Sequence, residues 1–322
     1  MRSLCSLLLV SVWAADLARG ADSAGIRGLV AGLVYDRPGR SIRPVIGAPG
    51  SAYLGEPLAR DLEAAWVAPD GDQALALSRG SLYWLEGLSV HSPRWRTLSI
   101  GEGVPALVGW SVDSSAAAVY IPDRLILVHR AAGVVAGFST ESLGGRIITL
   151  AIADDAILAG VEGVGLYRLS AGETPALVAR LPEARAILPA GSDRLLVADR
   201  ARQEILEVRC WREFPEVSPF ASAAAGVSDP AALAASPDGR FLVVASSVGR
   251  RVTVFDLASG ALIRELQLDF EPTRLEPLGD GASWLLAERR GAGEALEVLT
   301  VAGEPAVFFI PAPAEESIAR ED

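Results

Sequence analysis

The sequence predicts an all-β chain folded as a β-propeller, with four antiparallel strands in each blade. Three observations carry the prediction. Acid-bearing tight turns recur at a steady step, each turn leads into two short apolar or alternating runs, and 32 Gly and 20 Pro punctuate the chain throughout. The turn acids Asp70, Asp113, Asp155, Asp193, Asp238 and Asp280 are separated by 43, 42, 38, 45 and 42 residues. A period near 42 that holds four strands is the mark of radially repeated sheets. Two packed sheets would not produce six matched turns at one period.

The clearest unit runs from Ala235 to Leu268. Ser236-Pro237-Asp238-Gly239-Arg240 opens it, followed by the apolar run Phe241 to Ala245, a loop from Ser246 to Arg251, the alternating Val252 to Asp256, a Ser259-Gly260 turn and Leu262 to Leu268. Pro fixes φ for the first corner of a tight turn and Gly accepts the left-handed conformation after it, so Pro-Asp-Gly reverses the chain between two strands. Five apolar residues in a row suit a strand covered on both faces, whereas alternation suits one drier side. The same grammar recurs with decay from Trp66, Trp110, Ala153, Pro189 and Pro277.

Leu29 to Pro311 spans 283 residues, or 6.7 periods. Ahead of the six turn anchors, Leu33 to Gly39 followed by Ile42 to Ile46 mirrors Val254-Phe255-Asp256 through Ile263, the third and fourth strands of a unit. Seven blades are therefore expected rather than six, with strands from both chain ends sharing one blade. The propeller is read as a single domain over 21–311, and the charged segment 312–322 as a loose tail.

The stretch Ser236 to Leu266 resembles the bacterial surface-layer and lactonase-like propeller repeats called YVTN repeats, through its Ser-Pro-Asp-Gly turn and Val-Phe-Asp-Leu-Ala-Ser-Gly ending. Leu195 to Asp199 through Ile205 is similar to the neighbouring NHL-type repeat. The resemblance implies a WD40-like propeller of bacterial type. It implies little about activity, since fold and function separate readily.

Composition narrows the function classes. With 29 basic against 40 acidic residues the net charge is -11, which argues against a nucleic-acid partner. Neither Lys nor Asn occurs, so every strong base is Arg. The apolar run from Leu4 to Ala15, preceded by Arg2 and followed by Ala18-Arg19-Gly20, reads as a cleaved export signal over 1–20. A monomeric protein, exported to the periplasm or beyond, is expected, with no span left in a membrane. Loss of Cys5 with the leader would leave Cys210 alone and exclude an intrachain disulfide.

Little catalytic chemistry is written into the chain. His91 and His129 have no second His, Cys or acid pair at metal-ligand spacing and read as surface or strand-end residues. Cys210, beside Trp211, reads as a small hydrophobe rather than a nucleophile. Asp70-Gly71-Asp72 and Asp154-Asp155 read as turn acids, not calcium loops. No metal or cofactor is expected. A calcium-dependent lactonase would need an Asn ligand and a quinone-dependent dehydrogenase paired cysteines, and the chain supplies neither.

One pattern points to recognition. The loops between second and third strands carry Arg79, Arg124, Arg200 with Arg202, Arg250 with Arg251, and Arg289 with Arg290, while the fourth unit has Glu162 instead. Such loops emerge on one face of a propeller, where guanidinium groups would hold carboxylates or phosphates in bidentate fashion. The reading is a binding module for a protein partner or an anionic small molecule or glycan. The competing reading is a lactonase-like hydrolase with its site at the channel mouth, marked by two or three acids converging with one Arg or His. A structural envelope protein is a third class, marked by an exposed apolar edge and self-association.

Overall fold

A computed structural model of the protein describes residues 30–48, 50–279 and 281–313. The predicted leader, most of the predicted tail and Asp280 lie outside them. The described chain forms seven separate antiparallel sheets, each built from consecutive strands. Blade one is three-stranded, with Val30–Asp36, Ser41–Ile46 and Tyr53–Leu54. Blades two to seven are four-stranded. Their first strands are Ala64–Val67, Leu107–Trp110, Ile147–Ala153, Ala184–Pro189, Pro230–Ala235 and Glu276–Pro277. First strands of neighbouring blades pack on one another: a Cβ built on Gly109 of blade three would lie 2.9 Å from Leu150 of blade four. These strands thus surround the axis, and the fourth strands form the rim. The fold expected from the turn period is the fold observed, with seven blades.

The sequence pattern explains which strands lie where. The second strands Gln73–Ser78, Ala116–Ile121 and Ala156–Val161 are buried at every position, as continuous apolar runs require when a sheet is covered on both faces. The outer strand Leu262–Gln267 is almost wholly exposed. The described residues contain seven apolar core clusters, and each fills the seam between one pair of adjacent blades. Stability is therefore distributed around the ring as blade-to-blade packing, the usual energetics of a repeat architecture.

The turn grammar has a physical basis in hydrogen bonds. In blade six, Ser236 Oγ donates to Asp238 Oδ1 at 2.5 Å, the Arg240 N–H donates to the same oxygen at 3.0 Å, and Gly239 takes φ 65°. Blade three copies it: Ser111 Oγ donates to Asp113 Oδ1 at 2.7 Å, the Ser115 N–H at 3.1 Å, and Ser114 takes φ 59°. In blade two Ala68 replaces the serine, yet the Asp72 N–H still donates to Asp70 Oδ1 at 2.9 Å. The Asp is fixed by what its carboxylate must accept.

Blade one departs from expectation by one strand. Val30–Asp36 and Ser41–Ile46 are second and third strands, not third and fourth. Their loop holds four residues and ends in the left-handed Arg40, φ 45°, like the second-to-third loops of blades five and six, which end in Gln203 at 55° and Arg250 at 46°. Arg40 Nε also donates to the Leu62 carbonyl at 3.2 Å, so this loop lies on the same face as the blade-to-blade linkers. Leu33-Val34-Tyr35-Asp36-Arg37 repeats Leu196-Val197-Ala198-Asp199-Arg200 with a single change. A shared blade built from both chain ends would involve residues outside the described ones.

Ring closure joins blade one to blade seven. A Cβ on Gly32 would lie 1.6 Å from the Leu278 carbonyl oxygen, so the two blades meet backbone to backbone and only glycine fits. At the other end of the strand, Asp36 binds two guanidinium groups at once. Arg43 Nε lies 3.2 Å from Asp36 Oδ2 and Arg289 Nη1 lies 2.6 Å from Asp36 Oδ1, with all three side chains buried. Val34, Val45, Leu54, Leu285, Leu296 and Ile310 fill the seam beside them.

Candidate functional site

The two faces of the ring are built from different connections. One face carries the first-to-second turns and the third-to-fourth loops; the other carries the second-to-third loops and the linkers between blades. The predicted arginines lie on the linker face. Their loops differ in length, which sets how each residue is presented. Arg79-Gly80 is a two-residue reversal with both residues left-handed, at φ 51° and 71°. In blade three Pro122 sets the first corner and Asp123 turns left-handed at 76°, placing Arg124 at the head of the third strand. Arg40, Arg79 and Arg250 thus share an αL backbone that costs a non-glycine residue about 1 kcal/mol.

The structure separates the eight predicted arginines into three groups. Four are neutralised within the chain. Arg200 pairs with Asp229, Arg202 with Asp199 at 3.6 Å, Arg250 with Glu271 at 3.8 Å and Arg251 with Glu265 at 3.2 Å. Arg289 must be removed from the candidate set. It is completely buried, pairs with Asp36 and donates to the carbonyls of Glu294 at 2.8 Å and Ala292 at 2.5 Å, so it closes the ring and reaches no solvent. Arg79, Arg124 and Arg290 form the third group.

These three make no ion pair among the described residues. Arg79 and Arg290 are exposed, and Arg124 is half-buried with its guanidinium laid against Gly101, where a Cβ would come within 2.6 Å of Nη1. They stand on blades seven, two and three, an arc that spans blade one. Blade one adds two arginines that the sequence reading missed: Arg37, which pairs with Glu288 at 3.2 Å, and Arg40. The signal was present in the Asp36-Arg37 repeat of Asp199-Arg200. In blade four Glu162 accepts Arg146 at 3.2 Å, so the expected departure is itself an ion pair. The linker face is therefore a mosaic of pairs interrupted by an arc of uncommitted guanidinium groups.

The turn face is acidic. Hydrogen bonds from Ser111 and Ser115 hold the Asp113 carboxyl below the ordinary range, and Ser236 does the same for Asp238. A carboxyl lowered on folding stabilises the native state above its unfolded value of about 3.9 and ceases to do so as pH falls through the lowered one. Asp113→Asn is accordingly expected to lower the urea midpoint at pH 7, with the difference from the parent chain vanishing in stronger acid. A difference that widens below pH 4 would contradict the assignment.

At the axis, the inner turns of blades three, four and five line a cleft of about 490 Å³ that includes Asp113, Asp154, Gly191 and Ser192. Arg212 pairs with Asp154, approaches Asp193 at 3.8 Å and stacks 4.1 Å over the Trp211 ring. His91 is exposed and His129 ends a strand, as the sequence suggested. Cys210 corrects an expectation. It is exposed, not buried, because it sits left-handed at φ 51° just after its strand, and the buried residue is Trp211. A hydrogen bond to Asp193 raises its thiol pKa, which disfavours the nucleophilic thiolate. Asp70 and Asp72 are turn acids, and among the described residues no three His, Cys, Asp or Glu gather as a metal site. No described helix is long and apolar enough to cross a membrane.

No protein-family model and no curated protein matches the sequence. Solved structures do. A functionally unknown protein from Desulfotomaculum acetoxidans is similar at TM-score 0.61 and 14% identity, over 88% of this chain and 99% of that one. The β-propeller domain of Cps50 (Swd1) from Myceliophteria thermophila matches at TM-score 0.58 and 12% identity, over 79% and 87%. A chain of the mitotic checkpoint complex matches at 0.59 and 11%, over 96% and 90%. At these identities the likeness is one of fold: a seven-bladed, WD40-like propeller.

Proposed function

We propose that this chain is an exported binding propeller of the YVTN/NHL kind, engaging an anionic group of a partner protein, glycan or small molecule on its linker face. The observation that supports this most is the arc of uncommitted guanidinium groups on blades seven, two and three. On a rigid ring such groups are pre-placed, so little ordering entropy is lost on binding. On a molecule of net charge -11 they also form a local attraction for carboxylate or phosphate against a repelling background.

The test uses a fluorescein-labelled oligoglutamate peptide and the chain carrying Arg79→Gln, Arg124→Gln and Arg290→Gln together. Affinity should fall at least about tenfold, more steeply at low salt, with an unchanged melting temperature. Replacing Arg200, Arg202, Arg250 and Arg251 by Gln should cost less, because those groups already have carboxylate partners. Equal affinity of the triple variant and the parent would remove the reading.

The hydrolase alternative rests on the turn-face cleft, where acids and Arg212 converge. Asp113 is held below the ordinary carboxyl range by its turn donors and Asp154 is engaged by Arg212, so neither is placed as a free proton-transfer group. Turnover of a sugar lactone that Asp154→Asn abolishes would replace the binding reading. Export is tested by intact mass: a mature chain lacking 1–20 is expected.

A further inference from the structure

The outer strand of each blade is a sheet edge, and an exposed edge presents unpaired N–H and C=O groups that proteins normally blunt with charge, proline, bulges or shortness. Six of the seven outer strands carry such a device. Tyr53–Leu54 is two residues long, and Arg94–Thr97 carries Arg94 and Arg96. Gly133–Ser139 and Ala176–Ala179 meet their neighbours across register breaks. Glu216–Ala221 has a break, a glutamate and Pro219; Leu262–Gln267 has a break, Arg264 and Glu265. The seventh, Ala306–Ile310, reads Ala-Val-Phe-Phe-Ile in unbroken register with Leu296–Thr300 and has none of them.

The flank of this strand has a definite chemistry. Phe309 is 56% exposed and meets Phe270 edge to face, with centroids 6.3 Å apart. Glu297 is paired directly opposite Phe309 and so shares its side of the sheet. Burial, Glu294 and Asp269 push the Glu297 carboxyl above its ordinary value. Glu294 is occupied by the N–H groups of Arg290 and Gly291, whereas Glu297 and Asp269 form no ion pair among the described residues. An apolar edge beside two carboxylates lacking a cation on the same face is complementary to a strand that carries an apolar and a basic side chain two residues apart, on one face.

We propose that Ala306–Ile310 is a docking edge that accepts a basic, strand-forming segment of a partner protein as a fifth strand of blade seven. Main-chain hydrogen bonds would supply the pairing, Phe309 and Phe270 would receive an apolar side chain, and Glu297 with Asp269 an Arg or Lys. A second copy of this chain fits less well, because edge-to-edge pairing would oppose the same acids on two molecules of charge -11. The chain's own segment 314–322 is also unsuited, with Glu315, Glu316, Glu321 and Asp322 against Arg320. The proposal is independent of the linker-face arginines.

The probe is an eight-residue peptide whose one face alternates Val and Arg and whose other face is Thr, with Glu replacing Arg in its Val/Glu counterpart, offered to the full chain. The Val/Arg peptide should bind and slow amide hydrogen exchange within 306–310, and the Val/Glu peptide should do neither. Phe309→Lys should weaken binding at least about tenfold without moving the melting temperature. Glu297→Gln should weaken it several-fold, and Arg79→Gln should leave it unchanged. Three results would overturn the proposal: no new protection in 306–310, undiminished binding by Phe309→Lys, or protection of 306–310 without peptide. In the last case, a dimer in sedimentation would assign the edge to a second copy, and loss of protection on truncation after residue 313 would assign it to the chain's own tail.

Discussion

Replacing Asp36 by leucine should lower the free energy of unfolding by about 3–5 kcal/mol, because removing one partner of a buried ion cluster leaves uncompensated charge in a poorly solvated place. Here two guanidinium groups would lose the Asp36 carboxylate. Arg43 and Arg289 both direct a nitrogen at Asp36, at 3.2 and 2.6 Å, and Arg289 has no exposure through which to recover water. The cost should be repaired by neutrality, not by restored charge alone. Asp36→Leu combined with Arg43→Met and Arg289→Met should recover most of the loss, since a buried ionic cluster is often replaceable by apolar residues of similar volume. Urea denaturation of the two variants checks both statements. A single variant within 1 kcal/mol of the parent would show that the three groups are not buried together.

Trp84→Ala should cost a similar amount, about 3–5 kcal/mol, through the cavity left by a large buried ring. Trp84 is wholly buried in the seam between blades two and three, packs edge to face on Trp110 at 5.1 Å and lies beneath Arg96 at 5.7 Å. Its Nε1 donates to the buried Gln73 Oε1 at 3.0 Å, so truncation also strands an amide. Trp84→Phe separates the two contributions: it keeps most of the packing and should lose about 1–2 kcal/mol from the unmet hydrogen bond. Because each seam joins neighbours only, hydrogen exchange should rise first in blades two and three. Equal loosening of all seven blades would contradict the seam-by-seam account.

The ring and its blade number were legible because the first-to-second turns recur at one period, and in blades two, three and six the turn acid accepts backbone donors. Asp113 and Asp238 perform that role through the same hydrogen bonds, which is why the period survives where strand residues have drifted. Blade one was misassigned because its described part lacks such a turn, and Val254-Phe255-Asp256 offered a plausible but wrong match. The burial of both faces of Val30–Asp36 follows from the closed ring, not from local pattern. Arginine fates were the least legible. Whether Arg200 is spent depends on Asp229, Arg250 on Glu271, and Arg289 on Asp36, 253 residues away. Sequence spacing gave the loops that hold these side chains; only the packing of blades gives their partners. The exposed Cys210 follows the same logic, since strand ends turn within one residue and local hydrophobicity cannot tell which neighbour faces inward.

The most direct test of this architecture is a double-mutant cycle between Asp36 and Arg289, read by urea unfolding of Asp36→Leu, Arg289→Met and the pair. If the first and last blades meet as described, the two changes should be strongly non-additive, with a coupling of about 1.5 kcal/mol or more. Costs that simply add, to within about 0.5 kcal/mol, would mean that the two ends of the chain do not touch and that no closed ring of blades exists.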